Sequence, residues 1–477
     1  MNRNMNKLLR LSIIDKIFSK IAEIFDFSKK IFHFFSYLCL SELFENLKLM
    51  RPLLLLAAII CGISSLSAQE FNDHFDDATI RIDYTFAGNA DEQFVALKEL
   101  STTPTWWGRR VNLSEVPLKG NGDLTLYDAK SNEVIYKTSF SSLFQEWITT
   151  PEAKSSVRSF EFTLLAPMPK TACYAELILR NNQGEQSASL RHLIDPEDAL
   201  IRNRAAQRAL PHKYIHQGGD SRDCIDVVIL AEGYTVEDMD IFFADALTAT
   251  ETILSYEPFK SYRDRFNFIA VASPSTDGRV SLPQNDDWCQ TAVQSNFMTF
   301  YMERYLTSGA VYSMYDLATN IPCEHFIILA NTDAYGGGGI YNSYTLTTAH
   351  HRSFRPVVVH EFGHSFGGLG DEYFYEGGDN NDEMHSLSHE PWEPNITTLV
   401  DFESKWKDML DDDVEIPTEP TDSRKKEYTV GVYEGGGYRT KGIYRPAVVC
   451  RMRDNVATRF CPVCERAIER VIKHQTE

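Results

Sequence analysis

The stretch "VVVHEFGHSFGGLGDEYF", residues 357–374, places two histidines four residues apart, with a glutamate directly after the first. On an α-helix, positions i and i+4 lie on one face, so the imidazoles of His360 and His364 can share a metal ion. Glu361 follows His360 and can point at a water on that metal. The pattern HExxH is typical of zinc hydrolases, although such strings also arise by chance.

The glycines that follow His364 predict a sharp end to this helix. Glycine adopts the φ values that end a helix and turn the chain back, so Asp371 can return to the metal as a third ligand. A catalytic zinc needs such a ligand and keeps one open position. In the metzincin pattern HExxHxxGxxH, Gly367 falls on the glycine position, but the third ligand would fall on Gly370, one residue before Asp371.

The sequence therefore predicts one catalytic zinc ion and hydrolysis of peptide bonds by zinc-activated water. The predicted metal ligands are His360, His364 and Asp371. Glu361 is expected to take the proton of the water and to deliver it to the leaving amine. Two other third ligands stay open, namely Glu372, which is adjacent, and Glu383, whose spacing suits a glutamate supplied by a second helix.

The N-terminal residues predict export. From Met50, a basic residue, an apolar run and the small residues before Gln69 form the pattern of a secretory signal peptide, residues 50–68. The apolar run is short for a membrane span, so we expect no stable span after cleavage. Residues 1–49 are interpreted as a mis-called upstream extension. The final location, periplasmic, cell-surface or extracellular, stays open.

The remaining chain divides by pattern into two domains. Residues 69–205 alternate apolar and polar residues between turn signals, which predicts an antiparallel β-sandwich. Residues 206–477 alternate buried strands with helices, which predicts an α/β (α+β) catalytic domain. In this domain we expect a helix near 296–307, and a helix capped by Thr235. The net charge of −20 argues against nucleic-acid binding.

The C-terminal cysteines form a cluster in the sequence "VVCRMRDNVATRFCPVC". In an exported protein, a disulfide from Cys450 to Cys461 or Cys464 is favoured. Alternatively, the three cysteines could supply three of the four ligands of a structural zinc site, but the neighbouring sequence offers no fourth thiolate.

Residues 205–470 resemble the immunoglobulin A peptidase family of bacterial zinc metallopeptidases. The resemblance rests on "HEFGHSFGGLGDEYF", on "DVVILAEGYT" and "EPFKSYRDRFNFIAV" upstream, and on "YEGGGYRTKGIYRP" with "CRM" downstream. Residues 69–205 resemble the N-terminal domain often attached to that family. The resemblance implies a metzincin-like domain, one zinc ion and endopeptidase activity toward proteins or peptides, without showing that this chain cuts immunoglobulin.

Weaker expectations concern the surroundings of the zinc. Met452 is a candidate for the methionine turn beneath the metal, with an ordinary core methionine as the alternative. The candidate substrate-binding glycines, on an edge strand open to β-augmentation, are Gly336, Gly337 and Gly338. Tyr438 or Tyr444 can stabilise the oxyanion or simply pack. Tyr373 is expected to support the turn that carries Asp371.

A second function stays open beside the peptidase. The chain can be a surface protein that binds carbohydrate or protein on a peptidase scaffold without activity. An aminopeptidase would need an acidic pocket for the amino terminus of the substrate, and the sequence shows none.

Overall fold

Alternating apolar residues in the N-terminal part of the chain form two four-stranded sheets. The structure, a computed structural model, describes residues 71–375, 385–421 and 428–477. The first elements are α1 (Phe71–His74), β1 (Phe75–Gly88), β2 (Gln93–Thr103), β3 (Gly122–Asp128), β4 (Val134–Phe140), α2 (Leu143–Trp147), β5 (Arg158–Pro169), β6 (Cys173–Arg180), β7 (Gln186–Ile194) and β8 (Arg202–Asn203). The strand orders are β5-β1-β2-β8 and β4-β3-β6-β7.

One hydrophobic core lies between these two sheets. Strand β1 contributes Ile80, Ile82 and Tyr84, and β6 contributes Leu177 and Leu179, all of them fully buried. Every second residue of a strand points to the same face, so the period-two pattern delivers these side chains to one core. The predicted antiparallel pairing is observed in both sheets, with only the short β8 running parallel to β2.

The C-terminal part is built on a six-stranded sheet. Its elements are β9 (His212–Gln217), β10 (Ile225–Glu232), α3 (Met239–Ile253), β11 (Phe266–Val271), α4 (Val311–Leu317), β12 (His325–Ala330), β13 (Gly337–Ile340), β14 (Tyr344–Thr348) and α5 (Phe354–Gly367). The order is β13-β14-β12-β10-β11-β9, with the four central strands parallel and both edge strands antiparallel. A hairpin of β15 (Tyr433–Gly436) and β16 (Arg439–Arg445) and the helix α6 (Pro462–Thr476) complete the chain.

Both faces of the six-stranded sheet are covered, which explains the unbroken apolar run of residues 227–231 within β10. Val227 and Ile229 face a core shared with α3, α5 and α6. Val228 and Leu230 face a second core, which includes α4 and Leu143 of α2. A parallel strand that is buried on both faces reads as a continuous apolar segment.

Two local predictions in this part are wrong. The segment 296–307 contains only a 3₁₀ turn, Thr299–Tyr301, because several of its residues take left-handed φ values that interrupt a helix. Helix α3 begins at Met239 and not after Thr235, whose backbone N–H and hydroxyl both donate to Asp238 Oδ2, at 2.9 and 2.8 Å.

Hydrogen bonds join the N-terminal sheets to the segment beside helix α5. Ser141 N–H donates to Tyr341 O at 2.9 Å, and the Asn342 amide donates to Ser139 O at 2.8 Å. The described residues pack as one compact unit, and the domain boundary near residue 205 stays a prediction. Within the described residues, no helix has the length and apolar character needed to cross a membrane. The segments 1–49 and 50–68 lie outside the described residues.

Candidate metal centre and active site

Helix α5 carries the HExxH residues and ends where the glycines begin. Gly368 has a φ of +61° and donates its N–H to His364 O at 2.9 Å. This single bond from the left-handed residue is the αL type of helix end, and Leu369 N–H also reaches back to Gly363 O at 3.2 Å. A residue with a Cβ resists this left-handed conformation. The reversal brings the chain after Gly370 back toward the histidines.

Three donor atoms converge where a metal ion is expected. Nε2 of His360 and Nε2 of His364 are 3.1 Å apart, and Asp371 Oδ1 lies 3.1 Å from the first and 3.3 Å from the second. A tetrahedral zinc ion bound at roughly 2.0–2.1 Å separates neighbouring ligand atoms by about 3.3 Å. Among the described residues, no donor makes a hydrogen bond of good geometry to Asp371 Oδ1. The residues therefore fit a zinc ion with one open position.

The other ring nitrogens are held by backbone carbonyls. Nδ1 of His360 lies 3.0 Å from Arg451 O, and Nδ1 of His364 contacts Leu369 O. A carbonyl accepts, so each Nδ1 carries the proton and each Nε2 lone pair faces the metal position. Asp371 is oriented in the same way, since the Tyr438 hydroxyl donates to its Oδ2.

Electrostatics couple these groups. Burial disfavours the charged imidazolium of His364, but Asp371, Glu361 and the Leu369 carbonyl together outweigh burial and raise its pKa to about 9. Burial by itself would raise the pKa of Asp371. The two histidines nevertheless hold that pKa well below its usual range. Burial raises the pKa of Glu361, which the histidines oppose. A raised carboxylate pKa suits a group that must accept and return a proton near neutral pH.

The site opens into a cavity of about 720 Å³. His360, Glu361, His364 and Asp371 all line it. A volume of this order lies within the usual range of ligand-binding pockets. The N-terminal part of the chain supplies a section of the wall, including Glu146 of α2.

Two family models match this chain. The model described as IgA Peptidase M64 matches residues 214–429 and 421–472, and the model described as Peptidase M64 N-terminus matches residues 70–191. The chain belongs to the IgA peptidase M64 family. It is accordingly a peptidase, and the resemblance stated from the sequence is confirmed. A search of curated proteins finds no match.

In this M64 peptidase, Met452 lies against the catalytic helix. A Cβ on Gly363, midway along the HExxH segment, would stand 2.8 Å from Met452 Sδ, and Met452 is fully buried. Its carbonyl accepts from Glu372 N–H at 2.9 Å. The structure thus brings Met452 together with helix α5 and with the residue after Asp371, and the methionine turn stays a prediction.

The glycine-rich strand β13 forms the sheet edge beside α5. Gly336, Gly337 and Gly338 all line the cavity, but the outer edge is partly paired already. Gly337 N–H donates to Arg304 O and Leu306 N–H donates to Gly337 O, both at 3.4 Å. A substrate strand therefore meets a partly occupied edge, and the predicted β-augmentation stays a proposal.

The two candidate oxyanion donors, Tyr438 and Tyr444, lie in different parts of the structure. Tyr438 lines the cavity and its hydroxyl is committed to Asp371, whereas Tyr444 is not among the cavity residues and its backbone pairs with Thr397. Tyr373 supports the Asp371 turn through its carbonyl, which accepts from Tyr438 N–H at 3.0 Å. Its ring also stacks 6.3 Å from that of His360, so its phenol belongs to the cavity wall.

One alternative third ligand, Glu372, does not lie at the histidine pair. Glu372 is fully buried and its Oε1 accepts from Asn395 Nδ2 at 3.0 Å. Successive residues of an extended chain point in opposite directions, so Asp371 faces the histidines and Glu372 faces away from them. Glu383 lies outside the described residues.

The favoured disulfide is not formed. Cys450, Cys461 and Cys464 are all free thiols, and the Cys450 and Cys464 sulfurs are 3.7 Å apart. A disulfide brings two sulfurs to about 2.05 Å. The three thiols instead surround Glu372, a contact that spacing along the chain could not reveal because almost 80 residues separate Glu372 from Cys450.

Sequence reasoning missed Glu146. Its carboxylate lies in the cavity wall and accepts from the Tyr305 hydroxyl. Burial raises its pKa to about 7, although that hydrogen bond opposes the shift. No local signal marks this residue, because α2 belongs to the N-terminal β-rich part and reaches the site only through the tertiary fold.

Proposed function

We propose that this M64 peptidase is an exported, zinc-dependent endopeptidase. The observation that carries the proposal is the triangle of His360 Nε2, His364 Nε2 and Asp371 Oδ1, with sides of 3.1–3.3 Å. A carboxylate oxygen of Glu361 lies within 4.8 Å of a ring nitrogen of each histidine. That arrangement matches one zinc ion with a base beside its open corner.

Bound zinc would polarise the scissile carbonyl and lower the pKa of a water toward about 7. The protein does the remaining work. Glu361 takes the proton from the attacking water and passes it to the leaving amine. The Nδ1 bonds of the histidines to backbone carbonyls hold the rings in position. The phenols of Tyr373 and Tyr438 line the cavity where the substrate carbonyl would lie.

The architecture is proposed to be that of a β-sandwich followed by a metzincin-like domain. Two sheets around one core support the first part. The glycine-ended HExxH helix and the position of Met452 against it support the second. We place the domains at 69–205 and 206–477. Export rests on the signal-peptide pattern of residues 50–68, and protein or peptide substrates follow from the family.

An aminopeptidase is a second candidate, because the structure supplies the carboxylates that the sequence did not reveal. Glu146 and Glu393 both line the cavity, where an acidic group can bind a substrate amine. Matched peptides with free and with acetylated amino termini separate the two candidates. An endopeptidase cleaves both at the same internal bond, whereas an aminopeptidase releases single residues from the free peptide only.

The inactive binding protein is not favoured, because the proposed base is present and atoms of all three proposed ligands lie within 3.3 Å of one another. The decisive variant is Glu361→Gln, with the exposed Glu237→Gln as matched control. We expect Glu361→Gln to keep its zinc, measured by mass spectrometry of metals, and to lose roughly 10²–10⁴-fold in peptide hydrolysis. A Glu361→Gln protein as active as the Glu237→Gln control would refute the role of the glutamate. A wild-type protein that hydrolyses nothing in a broad peptide panel would favour the binder.

A further inference from the structure

A second cluster of metal-ligating side chains lies outside the active-site cavity. Glu372 from the chain after α5, Cys450 from the loop after β16, and Cys461 and Cys464 at the start of α6 meet in the interior. All four residues are 0% exposed. One ligand atom from each lies within 4.8 Å of the corresponding atoms of the other three.

The distances in this cluster fit a tetrahedral ion. The Cys450 and Cys464 sulfurs are 3.7 Å apart, and a tetrahedral zinc with Zn–S bonds of roughly 2.3 Å separates two sulfurs by about 3.8 Å. Glu372 Oε1 lies 3.1 Å from Cys464 Sγ and 3.9 Å from Cys461 Sγ. Sulfur and oxygen ligands of one zinc are expected about 3.6 Å apart, and the two observed distances bracket that value.

Two further observations point to a ligand. Glu372 Oε2 is buried, and among the described residues it has no hydrogen-bond partner. Cys461 N–H donates to Cys450 Sγ at 3.2 Å, a contact that favours a thiolate at Cys450. An unpaired buried carboxylate oxygen is costly unless a cation or a donor satisfies it.

We propose that Glu372, Cys450, Cys461 and Cys464 bind a second, structural zinc ion. Sulfur-rich tetrahedral donors suit zinc, and four protein ligands leave no open position for a water or substrate. None of the four residues is among those that line the active-site cavity. The ion is therefore distinct from the catalytic one, and the inference does not depend on the proposed function.

The position of this site explains what the ion does. Glu372 follows Asp371 directly, and Cys450 precedes Arg451, whose carbonyl holds His360 Nδ1. The ion would clamp the chain of the third catalytic ligand to the loop that orients a histidine. Helix α6 is joined to the same point through the Cys-x-x-Cys pair at its start. The second zinc would thus hold in place the chain segments that position Asp371 and His360.

The test counts and characterises the metals of the wild-type chain, without reductant or added chelator. We expect two zinc ions per chain and, after exchange into Co²⁺, an intense thiolate-to-cobalt absorption in the near ultraviolet. Cys464→Ser should lose that absorption and one metal ion. His364→Ala should lose one metal ion but keep the absorption. Cys323→Ser changes a buried cysteine that belongs to neither cluster. This variant should keep both metal ions and the absorption.

Two results on the wild type would overturn the proposal, so it can be refuted even if Cys464→Ser does not fold. The first is a disulfide among the three cysteines, detected by peptide mapping without reduction. The second is a cobalt protein that has no thiolate absorption. A failure of the catalytic proposal would give a different result. The cobalt–thiolate absorption would persist, and His364→Ala would leave the metal content unchanged.

Discussion

The close packing of strand β13 on the catalytic helix gives a prediction that separates stability from catalysis. A Cβ built on Gly339 stands 2.2 Å from Glu361 O and 2.8 Å from His364 Cβ, where an ordinary contact is 3.4 Å or more. Relief would require the strand and the helix to move apart by about 1.2 Å, because the backbone oxygen cannot swing away. His364 would move with the helix.

We therefore expect Gly339→Ala to lose both stability and metal. Overpacking of this kind costs about 1–3 kcal/mol or more, which for a domain of this size lowers the melting temperature by several degrees. A shift of about 1 Å at a catalytic group typically costs about 10²-fold in rate. Differential scanning calorimetry, zinc content and peptide hydrolysis measure the three effects.

Gly337→Ala, two residues earlier, should behave differently. Its Cβ would meet the Glu361 side chain, 2.8 Å from Oε1 and 3.0 Å from Cγ. A side chain can rotate away, so we expect a stability loss below about 1 kcal/mol. The zinc should stay bound while kcat falls at least about 10-fold, because the displaced carboxylate is the proposed base.

Gly309→Ala is the matched control, because its Cβ would meet nothing within 4 Å. It should match the wild type in melting temperature, zinc content and kcat. The reasoning fails if Gly339→Ala is as stable and as active as Gly309→Ala, since strand β13 would then not be packed on the helix as the structure shows.

Three further perturbations test other contacts. Tyr438→Phe should weaken zinc binding about 10–100-fold through loss of the bond to the ligand Asp371; unchanged zinc affinity with a lowered kcat would instead make Tyr438 an oxyanion donor. Glu232→Gln should lower the free energy of unfolding by about 2–3 kcal/mol in urea, because its buried carboxylate accepts three hydrogen bonds of 2.6–2.9 Å; a loss no greater than that of Glu237→Gln would contradict this. Burial lowers the pKa of His325 from 6.5 to about 4. The contribution of neutral His325 to the free energy of unfolding is therefore fully present above pH 6.5, and it declines by roughly 3 kcal/mol as the pH falls to 4. His325→Phe should remove that part of the acid sensitivity, and parallel stability profiles against pH for the two proteins would refute the assignment.

Sequence alone determined the family, the peptidase activity and the local elements that carry the proposed ligands. The i, i+4 spacing of His360 and His364 places both on one helical face, and the glycines after them dictate where that helix ends, because both are short-range properties of the backbone. Alternating apolar residues likewise identified β1, and a continuous apolar run identified β10. It failed over residues 296–307, where left-handed residues interrupt an apolar pattern that reads as helical.

Only the tertiary structure decided which distant groups share a site. The choice of Asp371 over Glu372 depends on which way two adjacent side chains point when the chain returns to the helix, and spacing does not encode that direction. Glu146 reaches the cavity, and Glu372 reaches three cysteines, across large separations in the chain. Such contacts arise from the packing of whole elements, whereas a sequence motif reports only on the few residues that one turn of backbone brings together.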